Sequence, residues 1–352
     1  MSEKEKNQPI LHPDPLRFRK QPRKTLSVSE MLEGIRSGNR VVLGQAITLI
    51  ESKKPEHQTT ARELVEACLP YSGQAFRIGI TGTPGVGKST FVEALGNLIL
   101  NQQKKIAVLA IDPSSQKSHG SILGDKTRMN SLSAKANAFI RPSPAGEALG
   151  GVARQSRETI ILCEAAGYDY ILIETVGVGQ SEVAVHSMTD FFLLLLLPGA
   201  GDELQGIKRG IVEMADLIAV NKADGERLKL AESARRAYRN ALHLLPPQES
   251  GWVPPVHSCS AIEGTGMEEI WTTVLDYAHQ TRQNGFFEEK RRRQAAYWLD
   301  ETLQNSWRQL FLEDTEMKAA WEHVRQQVIT QTWSPFKGAA WLMDLFAQKH
   351  KL

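Results

Sequence analysis

The residues 82–89 have the types and the spacing needed to bind a polyphosphate. They fit the pattern G-x-x-x-x-G-K-[ST] at every defined position, with Gly82, Gly87, Lys88 and Ser89 as its fixed members. Glycines let successive backbone N–H groups turn inward around a triphosphate, at the positive end of the dipole of the following helix. Lys88 would reach the β- and γ-phosphates as a point charge, and the Ser89 hydroxyl would take one place on Mg²⁺. The chemistry expected here is nucleotide binding.

A second pattern, Asn221-Lys222-Ala223-Asp224, would select the base. It matches N-K-x-D directly after an apolar run. The Asp224 carboxylate can accept hydrogen bonds from guanine N1–H and from the exocyclic N2 amine, whereas adenine would leave this charge partly unpaired. Lys222 would lie along the ring plane, and Asn221 would tie the loops together. Together with residues 82–89, this pattern predicts a site that selects guanine through paired donors rather than through size.

A third short stretch would close the base pocket. Ser260-Ala261-Ile262 follows the next apolar run and fits an S-A-x loop whose backbone N–H contacts guanine O6. Alone this tripeptide carries little information, so its assignment depends on the two patterns before it.

Alternating apolar and helical segments predict the scaffold that positions these side chains. The predicted strands are 76–81, 106–111, 138–140, 170–173, 191–197, 217–220 and a last one around Val256. Helical segments such as 152–166 fill most of the intervals, which predicts an α/β fold with a mostly parallel central sheet flanked by helices. Ligands of such sheets bind beyond the carboxyl ends of the strands. Asp112, Glu174 and Asn221 fall at or just past such ends.

Composition along the chain predicts four parts. Residues 1–26 read as a flexible, solvated basic tail rather than an interaction arm, and its acidic residues argue against a transit peptide. Residues 27–72 read as an N-terminal helical segment that opens with the capping box Ser27-Val28-Ser29-Glu30. Residues 73–280 would form the domain that carries the phosphate loop, and residues 281–352 a C-terminal helical extension.

The tryptophans of the C-terminal extension need a surface that buries them. They are Trp298, Trp307, Trp321, Trp333 and Trp341, and they lie on segments with helical spacing. Either the chain's own domain or a dimer interface would account for them.

Overall composition favours a cytoplasmic protein. The formal charge of +2 gives no case for nucleic-acid binding. Three scattered cysteines, Cys68, Cys163 and Cys259, fit free thiols in a reducing compartment, and no pattern predicts a structural zinc site. The longest apolar run, 191–197, is too short to span a bilayer, which needs about 20 helical residues. We therefore expect no membrane partner.

Three glycine-rich segments with charged residues, 112–129, 174–182 and 199–208, are candidates for moving switch elements. Together they resemble the MeaB family, also called ArgK, whose mitochondrial member is MMAA. These proteins are G-protein chaperones of adenosylcobalamin-dependent acyl-CoA mutases. The match runs from about residue 40 to about residue 290. It implies a phosphate-loop GTPase that uses GTP/GDP and Mg²⁺, forms a homodimer through its C-terminal helices, and has such a mutase as its partner.

The resemblance assigns roles to individual residues. It places these on the nucleotide: Gly82, Thr83, Pro84, Gly85, Val86, Gly87, Lys88, Ser89, Thr90, Gly177, Asn221, Lys222, Asp224, Ser260, Ala261 and Ile262. It places these on the magnesium side: Ser89, Asp112, Asp125 and Glu174. It assigns these to catalysis: Lys88, Asp112, Glu174 and Lys208. Gly177 would offer its N–H to the γ-phosphate, and Lys208 would end a third switch that contacts the partner.

Other roles are open for three of these residues. Asp112 could cap a turn or helix, Glu174 could be an ordinary strand-end acid, and Lys208 could lie on a solvated helix start. Gln180 lies three residues beyond Gly177, so the group that positions the water is left unassigned. We expect a slow intrinsic rate, because catalysis would rest on placement and charge stabilisation.

Three other functions compete with the chaperone hypothesis. A nickel-inserting GTPase would carry a Cys/His site, but Cys163, Cys259, His119 and His186 form no convincing cluster in the sequence. A kinase of a periplasmic amino-acid-binding transport protein would need an acceptor-hydroxyl site and a base, and no motif predicts either. A nucleotide sensor would bind GTP without hydrolysing it. We therefore expect a GTPase that assists cofactor loading or protection of methylmalonyl-CoA mutase or a relative.

Overall fold

A sheet of seven parallel strands forms the centre of the structure, a computed structural model that describes residues 26–111, 129–142, 149–175, 181–199 and 209–350. The strand order is β3-β2-β4-β1-β5-β6-β7. The strands are β1 Phe76–Gly82, β2 Ile106–Ile111, β3 Ala138–Arg141, β4 Tyr170–Thr175, β5 Phe191–Leu196, β6 Leu217–Val220 and β7 Val256–Ser258. The predicted α/β fold with a parallel central sheet is confirmed.

The central strands are almost wholly apolar because helices cover both faces of the sheet. Every residue of β5 is buried, and so is every residue of β1. Four strand ends differ from the predicted ones. β1 ends at Gly82 and β3 at Arg141, each one residue later than predicted. β4 continues through Glu174 to Thr175, because the backbone of Glu174 still pairs with Ile80 of β1 and Ala110 of β2. β5 ends at Leu196, one residue earlier than predicted.

Helices fill the connections between the strands. The helices of the described residues are α1 Val28–Arg36, α2 Arg40–Ile50, α3 Pro55–Cys68, α4 Lys88–Asn101, α5 Asn130–Ser133, α6 Leu149–Ala165, α7 Ser181–His186, α8 Arg209–Met214, α9 Leu228–Leu242, α10 Met267–Gln283, α11 Phe286–Glu313, α12 Thr315–Ile329 and α13 Pro335–His350.

The N-terminal helices pack onto one face of the sheet. The predicted capping box is present at α1: Ser27 Oγ accepts from Glu30 N at 3.2 Å, and Glu30 Oε2 accepts from Ser27 N at 2.8 Å. Gly38, with φ of +74°, follows the end of this helix. Ile35, Leu43 and other side chains of α1–α3 join a core that also contains residues of α6, β2 and β4. The helical segment therefore shares its core with the sheet.

The C-terminal helices form an arm that starts on the sheet. α11 has 28 residues, so it is about 42 Å long. α12 and α13 pack on each other around a small core of their own, which contains Met317, Val324, Leu342 and Phe346. Asp314 caps α12 by accepting from Glu316 N at 2.9 Å and Met317 N at 3.2 Å.

The C-terminal tryptophans divide between these surfaces. Trp298 packs against the core of the sheet domain, and its Nε1 donates to Ser187 O at 2.9 Å. Trp333 packs against the core of the arm. Trp307, Trp321 and Trp341 keep two-fifths or more of their surface exposed. The sheet domain thus buries only part of this aromatic surface.

The cysteines are free and buried, as expected for thiols without disulfide partners. Burial raises the pKa of Cys68 to about 11 and that of Cys259 to about 12. Burial also raises the pKa of Cys163. All three thiols therefore stay protonated at neutral pH. None of the helices in the described part of the chain combines the length and the apolar composition that a membrane span requires.

Candidate nucleotide site

The predicted phosphate loop lies between β1, which ends at Gly82, and α4, which begins at Lys88. Gly85 and Gly87 have φ of +77° and +91°, a left-handed backbone conformation that residues other than glycine rarely adopt. A Cβ built on Gly82 would lie 2.4 Å from Leu195 O, so only glycine fits against β5. The sequence therefore forms the loop through glycines that no other residue could replace without strain.

Lys88 folds back over this loop. Its Nζ donates to Gly82 O at 2.6 Å and to Thr83 O at 3.3 Å. Burial lowers the pKa of Lys88, whereas the carboxylates of Glu174 and Glu182 raise it in part. Thr83 Oγ1 is buried and has no hydrogen-bond partner in the described part of the chain. A polyphosphate would give both groups an acceptor.

Ser89 and Glu174 meet beside the loop. Ser89 Oγ donates to Glu174 Oε1 at 3.0 Å, and the Glu174 side chain is buried. The pairing of β4 with β1 and β2 brings this carboxylate to the loop. Next to it, Thr175 Oγ1 donates to Thr81 Oγ1 at 2.9 Å and joins the ends of the two strands. Hydroxyl and carboxylate oxygens are the donors that Mg²⁺ takes in phosphate sites, so these residues fit that ion.

Asn221 connects the base side to the phosphate loop. Its Nδ2 donates to Val86 O at 2.8 Å, and its Oδ1 accepts from Ala261 N at 3.1 Å. Lys222 Nζ donates to Gly85 O at 2.6 Å. Both side chains therefore hold the loops of the two predicted motifs against each other.

Asp224 and Ser260 face each other across the base pocket. Ser260 Oγ donates to Asp224 Oδ2 at 2.7 Å and accepts from Glu263 N at 3.3 Å. Among the described residues no group donates to the other oxygen of Asp224, Oδ1. Ile262 is exposed beside this pocket. A carboxylate held by a single hydroxyl keeps an oxygen for ligand N–H donors.

The structure brings most of the predicted site residues to one end of the sheet. These are Gly82, Thr83, Pro84, Gly85, Val86, Gly87, Lys88, Ser89, Thr90, Glu174, Asn221, Lys222, Asp224, Ser260, Ala261 and Ile262. Four predicted site residues lie outside the described residues: Asp112, Asp125, Gly177 and Lys208.

Glu182 had no assigned role in the sequence analysis. It lies in the first turn of α7, is only 2% exposed, and is close enough to Lys88 for its charge to raise the pKa of that amine. The only sequence signal was its place at the end of the predicted switch segment 174–182. Its burial depends on tertiary packing, which no local pattern shows.

Comparisons with known proteins agree with this geometry. Residues 43–316 match the family described as methylmalonyl Co-A mutase-associated GTPase MeaB. A putative GTPase of Caulobacter vibrioides is 52% identical over 274 residues, which cover 78% of this chain and 84% of that relative. A Mus musculus protein named methylmalonic aciduria type A homolog, mitochondrial, is 42% identical over 333 residues, which cover 92% of this chain and 80% of that relative.

A solved structure shares the fold over nearly the whole chain. The crystal structure of a protein named LAO/AO transport system kinase is 37% identical, with a TM-score of 0.74, over 91% of this chain and 97% of that chain. Sequence matches over most of the chain and this shared fold lead to one assignment. The chain belongs to the family of methylmalonyl Co-A mutase-associated GTPases, MeaB.

Proposed function

We propose that this chain binds GTP with Mg²⁺, hydrolyses it slowly, and uses that cycle to assist an adenosylcobalamin-dependent acyl-CoA mutase. The assistance would be loading of the cofactor or its protection. The observation that carries the proposal is the arrangement of Asn221, Asp224 and Ser260 directly beside the phosphate loop. The family name, which joins a GTPase to methylmalonyl Co-A mutase, supports the choice of partner.

Guanine recognition follows from the acceptor at Asp224. Oδ2 is taken by Ser260, so Oδ1 would accept from guanine N1–H or its N2 amine. Adenine presents neither donor there, and a partly buried carboxylate without a donor is costly. Selection by lost hydrogen bonds is stronger than selection by size.

Hydrolysis would depend on charge placed around the γ-phosphate. Lys88 would exchange the carbonyl oxygens of Gly82 and Thr83 for phosphate oxygens, which are stronger acceptors for an ammonium group. Backbone N–H groups at the start of α4 would face the same oxygens. Ser89 and Glu174 would hold Mg²⁺, which supplies further positive charge to the β- and γ-phosphates. Asp112, Asp125 and Lys208 remain proposed members of this site.

The proposed chaperone is a homodimer. α11 carries an exposed apolar stripe of Leu299, Leu303, Trp307 and Leu310, which lie on one face of the helix. The face of α11 that binds the sheet domain carries Arg291, Gln294 and Trp298 and lies on roughly the opposite side of the helix from the stripe. A second copy would cover the stripe. A cytoplasmic location is part of the same proposal.

Hydrolysis is tested with GTP labelled in its γ-phosphate. The wild-type chain should release labelled phosphate slowly, and Lys88→Ala should reduce that release at least tenfold, because the ammonium group is lost. A binding-only sensor would release none. The name of the solved relative makes a kinase the alternative, and a kinase would move the label onto an acceptor protein instead of into free phosphate.

The partner is tested by retention on the immobilised chain. Each adenosylcobalamin-dependent mutase of the source organism is applied with GDP and with a non-hydrolysable GTP analogue. Retention of one mutase that differs between the two nucleotides supports the proposal. Equal retention, or none with any mutase, contradicts the chaperone role even if GTP is hydrolysed.

A further inference from the structure

A cleft of about 460 Å³ opens at the end of the sheet away from the phosphate loop. Asp216 lines it and directly precedes β6, whereas the phosphate loop follows the end of β1. Because the strands are parallel, these two places lie at opposite ends of the sheet. The walls come from the ends of α7 and α8, the 248–250 loop, α10 and α11. Pockets of this volume are in the range that binds small molecules.

The charged groups at the floor of the cleft are already paired. Lys290 Nζ donates to Asp190 O at 2.7 Å and lies 3.7 Å from Asp216 Oδ2. Asp216 Oδ2 also accepts from Phe192 N at 2.9 Å. At the mouth, Arg293 forms ion pairs with Glu249 and Glu289. A charged ligand would therefore have to break an existing pair, so the cleft favours an uncharged one.

The remaining wall is apolar and aromatic. Met214, Tyr277, Phe286 and Tyr297 contribute to it. Aromatic walls favour flat ligands, which can stack or meet them edge to face.

His186 adds one polar point of recognition. Burial, with help from the charge of Lys290, lowers the pKa of His186 to about 4, so its imidazole is neutral at pH 7. No described residue hydrogen-bonds to its ring nitrogens. A neutral imidazole has one nitrogen that accepts, so it suits a ligand with an N–H group.

α7 joins this cleft to the phosphate site. Its first turn carries Glu182, whose charge acts on Lys88, and its last residue is His186. The helix has 6 residues and is therefore about 9 Å long. α7 begins inside the predicted switch segment 174–182, and α8 directly follows the predicted switch segment 199–208. Both helices end at the cleft.

α11 holds the turn that follows α7 through backbone carbonyls. Trp298 Nε1 donates to Ser187 O at 2.9 Å, and Gln294 Nε2 donates to Thr189 O at 2.8 Å. Gln294 Oε1 is buried beside the cleft and has no hydrogen-bond partner in the described part of the chain. A buried acceptor without a donor disfavours the present arrangement, so a small displacement of α7 that supplied a donor would be stabilised.

We propose that this cleft is a second binding site, for an uncharged aromatic molecule with one N–H group, and that α7 couples its occupancy to the phosphate site. Coupling between two sites is reciprocal, so each ligand must change the affinity of the other by the same factor. The binding claim is independent of the proposed function, whereas the coupling claim rests on nucleotide binding.

Indole is the probe for binding, measured by calorimetry on the full chain without added nucleotide. We expect indole to bind at least fivefold more tightly than 1-methylindole, which lacks the N–H group. His186→Phe keeps the ring and removes the nitrogens, so it should reduce that preference to less than twofold. Met214→Trp should fill the cleft and weaken both probes, whereas Val253→Trp, on an exposed position outside the cleft, should not.

Coupling is measured with GDP and with a non-hydrolysable GTP analogue. The indole affinity should differ at least threefold between the two states, and saturating indole should change the ratio of the nucleotide affinities by the same factor. Trp298→Phe, which loses the donor to Ser187 O, should bring this factor toward one and leave indole binding intact. No indole binding, or an unchanged preference in His186→Phe, overturns the site. Equal indole affinity in both nucleotide states overturns the coupling alone.

Discussion

Asn221 shows how one side chain can set the geometry of a whole site. Its amide donates to the phosphate loop and accepts from the 261 backbone, so a change at either loop reaches the other. The next residue, Lys222, has φ of +60°, a conformation that costs a non-glycine residue on the order of 1–3 kcal/mol. The hydrogen bond from Lys222 Nζ to Gly85 O stabilises this strained conformation.

Replacement of Asp224 by Asn should change base preference. The introduced side-chain amide presents a donor where guanine needs an acceptor, so GTP affinity should fall at least tenfold, about 1.4 kcal/mol. Xanthine carries a carbonyl oxygen in place of the N2 amine, so xanthosine triphosphate should gain affinity. Calorimetry with GTP, ATP and xanthosine triphosphate measures the change.

The control for this change is Glu226→Gln, which removes an exposed acid two residues away. It should leave all three affinities within twofold of wild type. A preference for GTP over ATP that survived in Asp224→Asn would show that another group reads the base.

At the residue scale, sequence patterns predict contacts that are built into short motifs. The spacing of Gly82 and Lys88 is enough to place a loop between a strand and a helix. The bond between Ser260 and Asp224 joins residues 36 positions apart, and only the fold determines it. Burial of Glu182 is of the same kind, since an acid in the first turn of a helix is usually solvated.

At the element scale, the strands were predictable because a covered parallel strand is apolar throughout. The residues at which strands end were less predictable. β4 extends past its apolar run to the polar Thr175, because pairing with β2 continues to that residue. A charge run such as residues 288–293, at the start of α11, is typical of a solvated helix face. Arg292 is exposed in this way, but Lys290 and Arg291 bind the sheet domain, which no local pattern shows.

Arg291 should be the main attachment of α11. It donates to both carboxylate oxygens of the buried Asp190, at 2.8 and 2.7 Å, and to Ala75 O at 2.6 Å. Arg291→Met would leave that carboxylate buried without its ion-pair partner and with the Arg77 N–H as a remaining donor, so the free energy of unfolding should fall by about 3–5 kcal/mol at pH 7. Urea unfolding followed by circular dichroism measures this loss.

The loss should depend on pH. Burial alone would raise the pKa of Asp190, but the hydrogen bonds and charge of Arg291 lower it below its usual value. The wild-type pair therefore stabilises the fold above the pKa of the unfolded carboxyl and loses that contribution as pH falls through the lower folded pKa. In Arg291→Met the carboxyl protonates more readily, so the difference between the proteins should shrink at pH 4.5.

Arg293→Met is the matched control, because Arg293 pairs with Glu249 and Glu289 at the surface. Exposed ion pairs contribute little to stability because water screens them, so the effect of this variant on the free energy of unfolding should be small and vary little with pH. Equal losses of unfolding free energy in the two variants would show that the buried ion pair stabilises the fold no more than the exposed pairs do.

At the scale of the whole molecule, the chain should be a dimer. Leu299 and Leu303 on α11 keep 69% and 53% of their surface exposed, and such a stripe on a long helix favours association. Light scattering should give twice the chain mass of 39.2 kDa at micromolar concentration. Leu303→Glu should shift the protein toward monomer, because a charge would be buried in the interface.

Leu244→Glu serves as the control, since Leu244 is exposed but lies outside the C-terminal helices. It should leave the mass unchanged. A monomeric wild-type chain at the same concentration would contradict the proposed homodimer, because no second copy would then bury the apolar stripe of α11.

The position of β1 in the sheet also affects how the chain is completed on the ribosome. β1 pairs only with β4 and β5, which are made about a hundred residues later, and β2 is not its neighbour in the sheet. Both edges of the strand that leads into the phosphate loop therefore stay open during much of synthesis, and the residues that read the base emerge later still. All the residues that bind the nucleotide are present only when translation is well past its midpoint. Bound nucleotide would therefore stabilise late folding intermediates and have little effect on early ones.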